Sequence, residues 1–183
     1  MSQPNDISLV TRVIMCQDTK AFELLVRKYQ SPIRRLFLNL TLGDGALSDD
    51  LAQDTFIKCY THITSFKNLS GFSTWLYRIA YNVFYDHMRS RKETTDLDLT
   101  EIDCNYRCEP ENIARKLDIY ESLKVLKETE RSCIVLFYME DLSIEQIAKI
   151  LNCPQGTVKS YLSKARNKLA NYLKQNGYDK NRS

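Results

Sequence analysis

FKNLSGFSTWLYRIAYNVFYDHMRSRK, from Phe66 to Lys92, is the stretch around which the chain is read. It contains the only Trp of the protein. On a helix, Phe72, Leu76, Ile79, Ala80, Val83 and His87 fall on one mostly apolar face. Trp75, Arg78, Asn82, Tyr85 and Arg89 recur on another. A core-facing stripe rarely alternates rings with guanidinium and amide groups. A surface for unpaired nucleic acid does, because rings stack on bases while Arg neutralises phosphate. Taken alone, the stripe also fits an amphipathic helix whose rings cover a neighbouring helix.

Composition bounds the rest. The chain has 183 residues, enough for one domain or two small ones. Hydrophobic residues make up 43% and aromatics 10%, which supplies real cores. Only 5 Gly and 4 Pro interrupt long segments of helical period, so the predicted class is all-α. No apolar run has spanning length and no basic-apolar leader opens the chain, so a cytoplasmic protein without membrane insertion is expected. Net charge is +3, unevenly spread. Glu93 to Glu121 carries nine acids against three bases, and Ile144 to Ser183 eight bases against two acids. The basic C-terminal segment suggests an anionic partner. The six cysteines, without a secretion signal, read as reduced thiols. Cys104 and Cys108 have no second Cys/His pair at zinc spacing, and His62 and His87 are isolated. No metal or cofactor is expected.

Along the chain, Asp6 to Gln17 is predicted helical, with Ile7, Val10, Val13 and Ile14 inward. Phe22, Leu25, Val26, Tyr29, Ile33, Leu36, Phe37 and Leu40 line one face of a long helix. Pro32 predicts a kink or restart inside it, and Gly43-Asp44-Gly45 ends it. Ser48 is the expected cap of the next helix, with Ala52, Phe56, Tyr60 and Ile63 buried. The opposite face carries Asp50, Gln53, Asp54 and Lys58. Ser65 to Gly71 is a polar loop before the Trp helix. Thr94 to Glu109 is acidic and aperiodic and reads as a flexible linker. Pro110 opens a helix with Ile113, Leu117, Tyr120, Leu123 and Leu126 on its apolar face. The expected organisation is therefore a helical domain over 1–92, a linker over 93–110 and a second helical domain over 111–183.

The second domain ends in a helix-turn-helix pattern. Thr129 to Glu140 is predicted helical. Ser143 and Gln146 fit a capping box, followed by Ile144, Ile147, Ala148 and Leu151 on one face. Asn152 to Gly156 is a tight turn, and Thr157 opens a last helix with Val158, Leu162, Ala165, Leu169 and Leu173 inward. Lys159, Ser160, Tyr161, Ser163, Lys164 and Arg166 are left for phosphates and base edges in a major groove. No glycine precedes a Lys-Ser or Lys-Thr pair, and no nucleophile–base set is visible, so an enzyme is not expected.

AFELLVRKYQ (Ala21–Gln30), DDLAQDTFIKCY (Asp49–Tyr60), FSTWLYRIAYN (Phe72–Asn82) and LSIEQIAKILNCPQGTVKSYLSKAR (Leu142–Arg166) stand in this order, split by an acidic linker. In this the chain resembles bacterial RNA polymerase sigma factors of the extracytoplasmic-function (ECF) group, from about Asp6 to Leu173. The resemblance implies a sigma domain two and a sigma domain four. It implies a transcription initiation factor that binds core RNA polymerase, helps melt and recognises a −10 element, and reads a −35 element. Asp50, Gln53, Asp54 and Lys58 match the face that meets the β′ clamp helices. Phe66, Lys67, Asn68 and Ser70 in the loop, with Asn82, match −10 recognition, where an unpaired base sits in a protein pocket. Trp75, Arg78 and Tyr85 would support the separated strand. Thr157, Lys159, Ser160, Tyr161, Ser163, Lys164 and Arg166 would read the −35 duplex, with this domain docked on the β flap. An anti-sigma factor is the further implied partner. Lys127 stands where the family often has Pro, Asp141 where Gly is frequent, and Tyr161 where a basic residue is common. A stand-alone helix-turn-helix regulator of duplex DNA is the alternative reading. It would need a ligand or phosphoacceptor domain in the N-terminal half. A helical interaction bundle is a third, against which the cationic last helix argues.

Overall fold

The computed structural model describes residues 5–68, 70–94 and 118–176, with backbone alone over 92–94. The predicted linker beyond Thr94, the helix start at Pro110, Ile113, Leu117, Cys104 and Cys108 lie outside the described residues. The described residues are helical throughout their regular structure. Those of Met1–Phe37 and Ala46–Glu101 form one compact unit, and those of Leu38–Gly45 and Ile102–Ser183 a second.

The first unit takes in α1 (Asp6–Cys16), α2 (Thr19–Leu40) as far as Phe37, α3 (Gly45–Thr61) from Ala46, a 3₁₀ turn (Ile63–Ser65) and α4 (Phe72–Thr94). Asn5 caps α1 by accepting the Ile7 N–H. Leu9, Val10 and Val13 are its buried residues, whereas Ile7 is exposed and Ile14 half-buried, against the predicted face. The reason is Asp6. Its carboxylate accepts from Tyr29 Oη and Lys28 Nζ on α2, each at 2.6 Å, which fixes the roll of α1. Ile7, about 100° further round, then faces outward.

α2 runs unbroken through Pro32, so the predicted restart does not occur. An interior Pro costs roughly 3 kcal/mol. Ile33, Leu36 and Phe37 just beyond it are fully buried. Each such side chain contributes roughly 1.5–3 kcal/mol, so burial on both sides of Pro32 outweighs the lost bond.

α3 starts at Gly45, and Ser48 is buried in the helix rather than capping it. The buried face is Ser48, Leu51, Ala52, Thr55 and Cys59. Phe56 is half-buried and Tyr60 exposed, so the real face is rotated from the predicted one by about one residue. Thr55 can lie inside because its hydroxyl donates to the Leu51 carbonyl at 2.7 Å.

In the second unit, helical residues 118–124 (α5) precede α6 (Glu128–Ile134), a π-helical turn (Val135–Met139), α7 (Ile144–Leu151) and α8 (Gln155–Gln175). The predicted single helix over Thr129–Glu140 thus widens after Ile134. The Glu140 N–H bonds five residues back to Val135, and Leu142 six back to Leu136. Asp141 closes this turn at φ 52°, a left-handed conformation that explains why Gly suits the position. Lys127, at φ −65°, has a backbone that Pro could adopt, but its N–H donates to Glu130 Oε2 at 3.1 Å. The Ser143–Gln146 capping box forms as predicted, at 3.2 and 2.9 Å. Asn152, at φ 50°, ends α7 with its N–H on the Ala148 carbonyl.

Candidate nucleic-acid and polymerase interfaces

The base of the loop before α4 is aromatic. Phe66 lies 5.8 Å from Phe72 and 5.4 Å from Trp75, ring centre to ring centre, and Phe72 lies 5.8 Å from Trp75. Tyr29 joins the cluster, 5.5 Å from Phe72. Folding Phe66 over the first turn of α4 encloses Trp75, which is only 6% exposed. This corrects its place in the outer stripe: Trp75 is part of the packing beneath the loop. Above that packing, Lys67 and Asn68 are exposed, Asn68 at φ 53°, and Ser70 is half-buried. Arg78, Asn82, Tyr85 and Arg89 do share an exposed face of α4. Tyr81, absent from the predicted set, is half-buried with its ring stacked on Tyr85. Its spacing of four from Tyr85 was the available signal.

On α3, Asp50, Gln53, Asp54 and Lys58 are all exposed. Lys58 reaches α4, where its Nζ lies 3.7 Å from Asp86, a partner that the sequence reading missed. Beside Gln53 runs an apolar groove of about 630 Å³ between α2 and α3, walled by Phe22, Val26, Phe56, Ile57 and Tyr60. Ile57 is 52% and Tyr60 44% exposed. Phe56, half-buried, and Tyr60, exposed, stand outside the buried face of α3 and so are available to wall this groove.

In the second unit, Val158, Leu162 and Ala165 bury one side of α8. Lys159, Ser160, Ser163, Lys164 and Arg166 are exposed on the other, while Thr157 and Tyr161 are half-buried. α8 begins at Gln155, so Thr157 sits in the first turn rather than at its start. Leu169 is half-buried and Leu173 exposed, because α6 and α7 are too short to cover the end of a 21-residue helix. A polar clasp holds α8 in place. Lys168 Nζ donates to the buried Glu130 carboxylate at 2.7 Å. Burial alone would push the Glu130 carboxyl up. The hydrogen bonds from Lys168 and the Lys127 N–H, with both lysine charges, outweigh it and hold the carboxyl below its ordinary value. Arg131, also buried, donates to the Leu123 and Leu126 carbonyls and so ties α5 to α6. Cys59 and Cys133 are buried, which pushes both thiols up to about 12.

Comparison with known proteins settles the family. The profile of sigma-70 region 2 matches residues 25–94, and that of sigma-70 region 4 residues 111–169. The RNA polymerase sigma-H factor of Pseudomonas aeruginosa is 34% identical over 181 residues, covering 91% of this chain and 92% of its own. The ECF RNA polymerase sigma-E factor of Haemophilus influenzae is 35% identical over 185 residues, covering 93% and 96%. The chain belongs to the sigma-70 family, in its ECF group. The solved structure of sigma factor RpoE with anti-sigma factor NepR from Bartonella quintana agrees, with TM-score 0.73, 31% identity and coverage of 85% and 98%. CnrH, solved with the cytosolic domain of CnrY, shares the fold at TM-score 0.71, with 22% identity and coverage of 93% and 97%. As an ECF sigma factor the protein directs RNA polymerase in transcription initiation and is an initiation factor rather than a catalyst. Its α7 and α8 are the helix-turn-helix of region 4, and its α4 belongs to region 2. Among the described residues no helix is long and apolar enough to cross a membrane.

Proposed function

We propose that this sigma factor divides promoter recognition between its two units. Asn82 and the loop residues Phe66, Lys67, Asn68 and Ser70 select a base of the −10 element, and Arg78 and Tyr85 hold the separated strand. Trp75 supports this face from below. Lys159, Ser160, Ser163, Lys164 and Arg166, with Thr157 and Tyr161 at the edge, read the −35 duplex. Core polymerase docks through its β′ clamp helices on Asp50, Gln53, Asp54 and Lys58, with the adjoining α2–α3 groove receiving apolar side chains. The second unit docks on the β flap. The observation that carries the reading is the outer face of α4: Arg78, Asn82, Tyr85 and Arg89 are exposed in one stripe, while Leu76, Ala80 and Val83 opposite are buried. Exposed cations, an amide and a ring at helical spacing suit phosphate, base edge and base face in turn. An anti-sigma factor that covers these surfaces is the expected regulator in the cytoplasm, by analogy with the RpoE–NepR pair.

The test is run-off transcription with core polymerase, with and without this protein, over a library randomised at both promoter elements. Initiation should require both proteins. Asn82→Ala should change preference at a single −10 position, while Lys159→Ala and Arg166→Ala should weaken −35 dependence. Equal initiation by core polymerase alone would overturn the reading. An unchanged promoter profile in all three variants would overturn the residue assignments.

A further inference from the structure

The match to sigma-70 region 2 begins at residue 25, so α1 lies outside it. The packing of α1 nevertheless leads to both ends of the loop before α4. On the entry side, α1 packs on the 3₁₀ turn Ile63–Ser65, which runs directly into Phe66. On the exit side the link is first polar and then aromatic. Asp6, in the first turn of α1, accepts from Tyr29 Oη at 2.6 Å. The same hydroxyl meets the side chain of Ser73, in the first turn of α4. The Tyr29 ring lies 5.5 Å from Phe72, and Phe72 lies 5.8 Å from Phe66. Tyr29 is buried, and burial together with the Asp6 carboxylate pushes its phenol up, so it stays a protonated donor at neutral pH. A hydrogen bond to a carboxylate is stronger than a neutral one and holds its geometry better.

We infer that α1 braces the loop before α4, and that Asp6 and Tyr29 are positioning residues for selection of the −10 base. The inference rests on the reading that this loop and Asn82 meet the −10 element. A protein pocket selects an extruded base only if its groups already wait in the productive geometry. Lys67 and Asn68 are exposed, so their placement is set by what lies beneath them and at either end. Phe66 and Phe72 supply the packing beneath, and Asp6 holds Tyr29 against Phe72. One helix, α1, thereby ties the 3₁₀ turn that enters the loop to the Phe72–Ser73 turn that leaves it. Loss of the Asp6–Tyr29 bond frees the two ends to shift against each other. Selection then falls although every group that meets DNA is still present.

The experiment uses holoenzyme assembled from core polymerase and the full chain, transcribing a promoter library randomised at both elements. One well-placed base contact gives about 5- to 150-fold discrimination, so displacing the loop should cost about 5-fold or more at one −10 position. Tyr29→Phe keeps the ring on Phe72 and loses only the hydroxyl, and should show that loss with −35 dependence and core affinity unchanged. Asp6→Ala should do the same, and the double variant should lose no more than either single one, because both remove one bond. Asp6→Asn keeps an acceptor for Tyr29 Oη and should keep the discrimination. Arg12→Ala breaks the 2.6 Å ion pair to Asp18 near the far end of α1 and should leave selection as in the wild type. The brace is overturned if Tyr29→Phe and Asp6→Ala both select like wild type, or if Arg12→Ala loses as much as they do. It is also overturned if the loss falls equally on −35 dependence and core affinity, as general destabilisation would make it. Asn82→Ala, assayed beside these variants, separates the two readings. A shifted −10 preference in Asn82→Ala with unchanged selection in Tyr29→Phe and Asp6→Ala rejects the brace alone. No shift in any of the three rejects the −10 reading of the loop as well.

Discussion

Trp75→Ala should remove much of the stability of the first unit. The indole is 6% exposed and packs against Phe66 at 5.4 Å and Phe72 at 5.8 Å. Truncating a buried aromatic of this size costs roughly 3–5 kcal/mol. A domain's entire stability is about 5–15 kcal/mol, so the variant would sit near the threshold of folding. For a unit of this size each kcal/mol moves Tm by about 4–8 °C, giving a fall of about 12–40 °C. Trp75→Phe keeps a ring between Phe66 and Phe72 and should cost less than half as much. Melting followed by circular dichroism measures both variants. The wild type offers an independent check, because its single Trp makes intrinsic fluorescence a reporter of this one place. Its emission should lie at the blue end of the tryptophan range, resist acrylamide quenching, and move red when urea unfolds the unit. Red emission with open quenching in the native protein would refute the packing role. So would a Trp75→Ala variant that melts as the wild type does.

Three further outcomes are expected in the second unit. Glu130→Ala leaves the Lys127 N–H and the Lys168 ammonium without their shared acceptor, and should cost about 2 kcal/mol by thermal melting. The pH dependence follows from the same carboxyl, which is held below its ordinary value of 4.5. The stability it lends is complete above that value and is lost as pH falls through the lower folded value, so wild-type and Glu130→Ala melting curves should converge in acid. At Asp141, φ 52°, and Asn152, φ 50°, substitution by Val should destabilise by about 1–2 kcal/mol each, whereas Gly should be tolerated at both, as urea titration would show.

The parts of this protein legible in its sequence are those fixed by local chemistry. Ser143 and Gln146 satisfy each other's backbone within one turn, so the start of α7 can be read without knowing what it packs on. Val158, Leu162 and Ala165 define a side of α8 by spacing alone. The misreadings share a cause. Periodicity gives the spacing of a helix face but neither its exact direction nor its width, because both depend on what lies over it. Asp6 turns α1 through a bond to Tyr29, 23 residues away. Thr55 enters the core because its own helix satisfies its hydroxyl, so polarity misplaces the α3 face and hides the groove that Phe56 and Tyr60 help to wall. Trp75 is enclosed because Phe66, nine residues earlier and outside the helix, folds across it. Arg78, Asn82 and Tyr85 do not depend on such a cover, since they lie on the side of α4 opposite Leu76, Ala80 and Val83. Residues at the middle of an outer face can therefore be assigned from sequence with greater security than those at its margin, where one distant ring decides between core and surface.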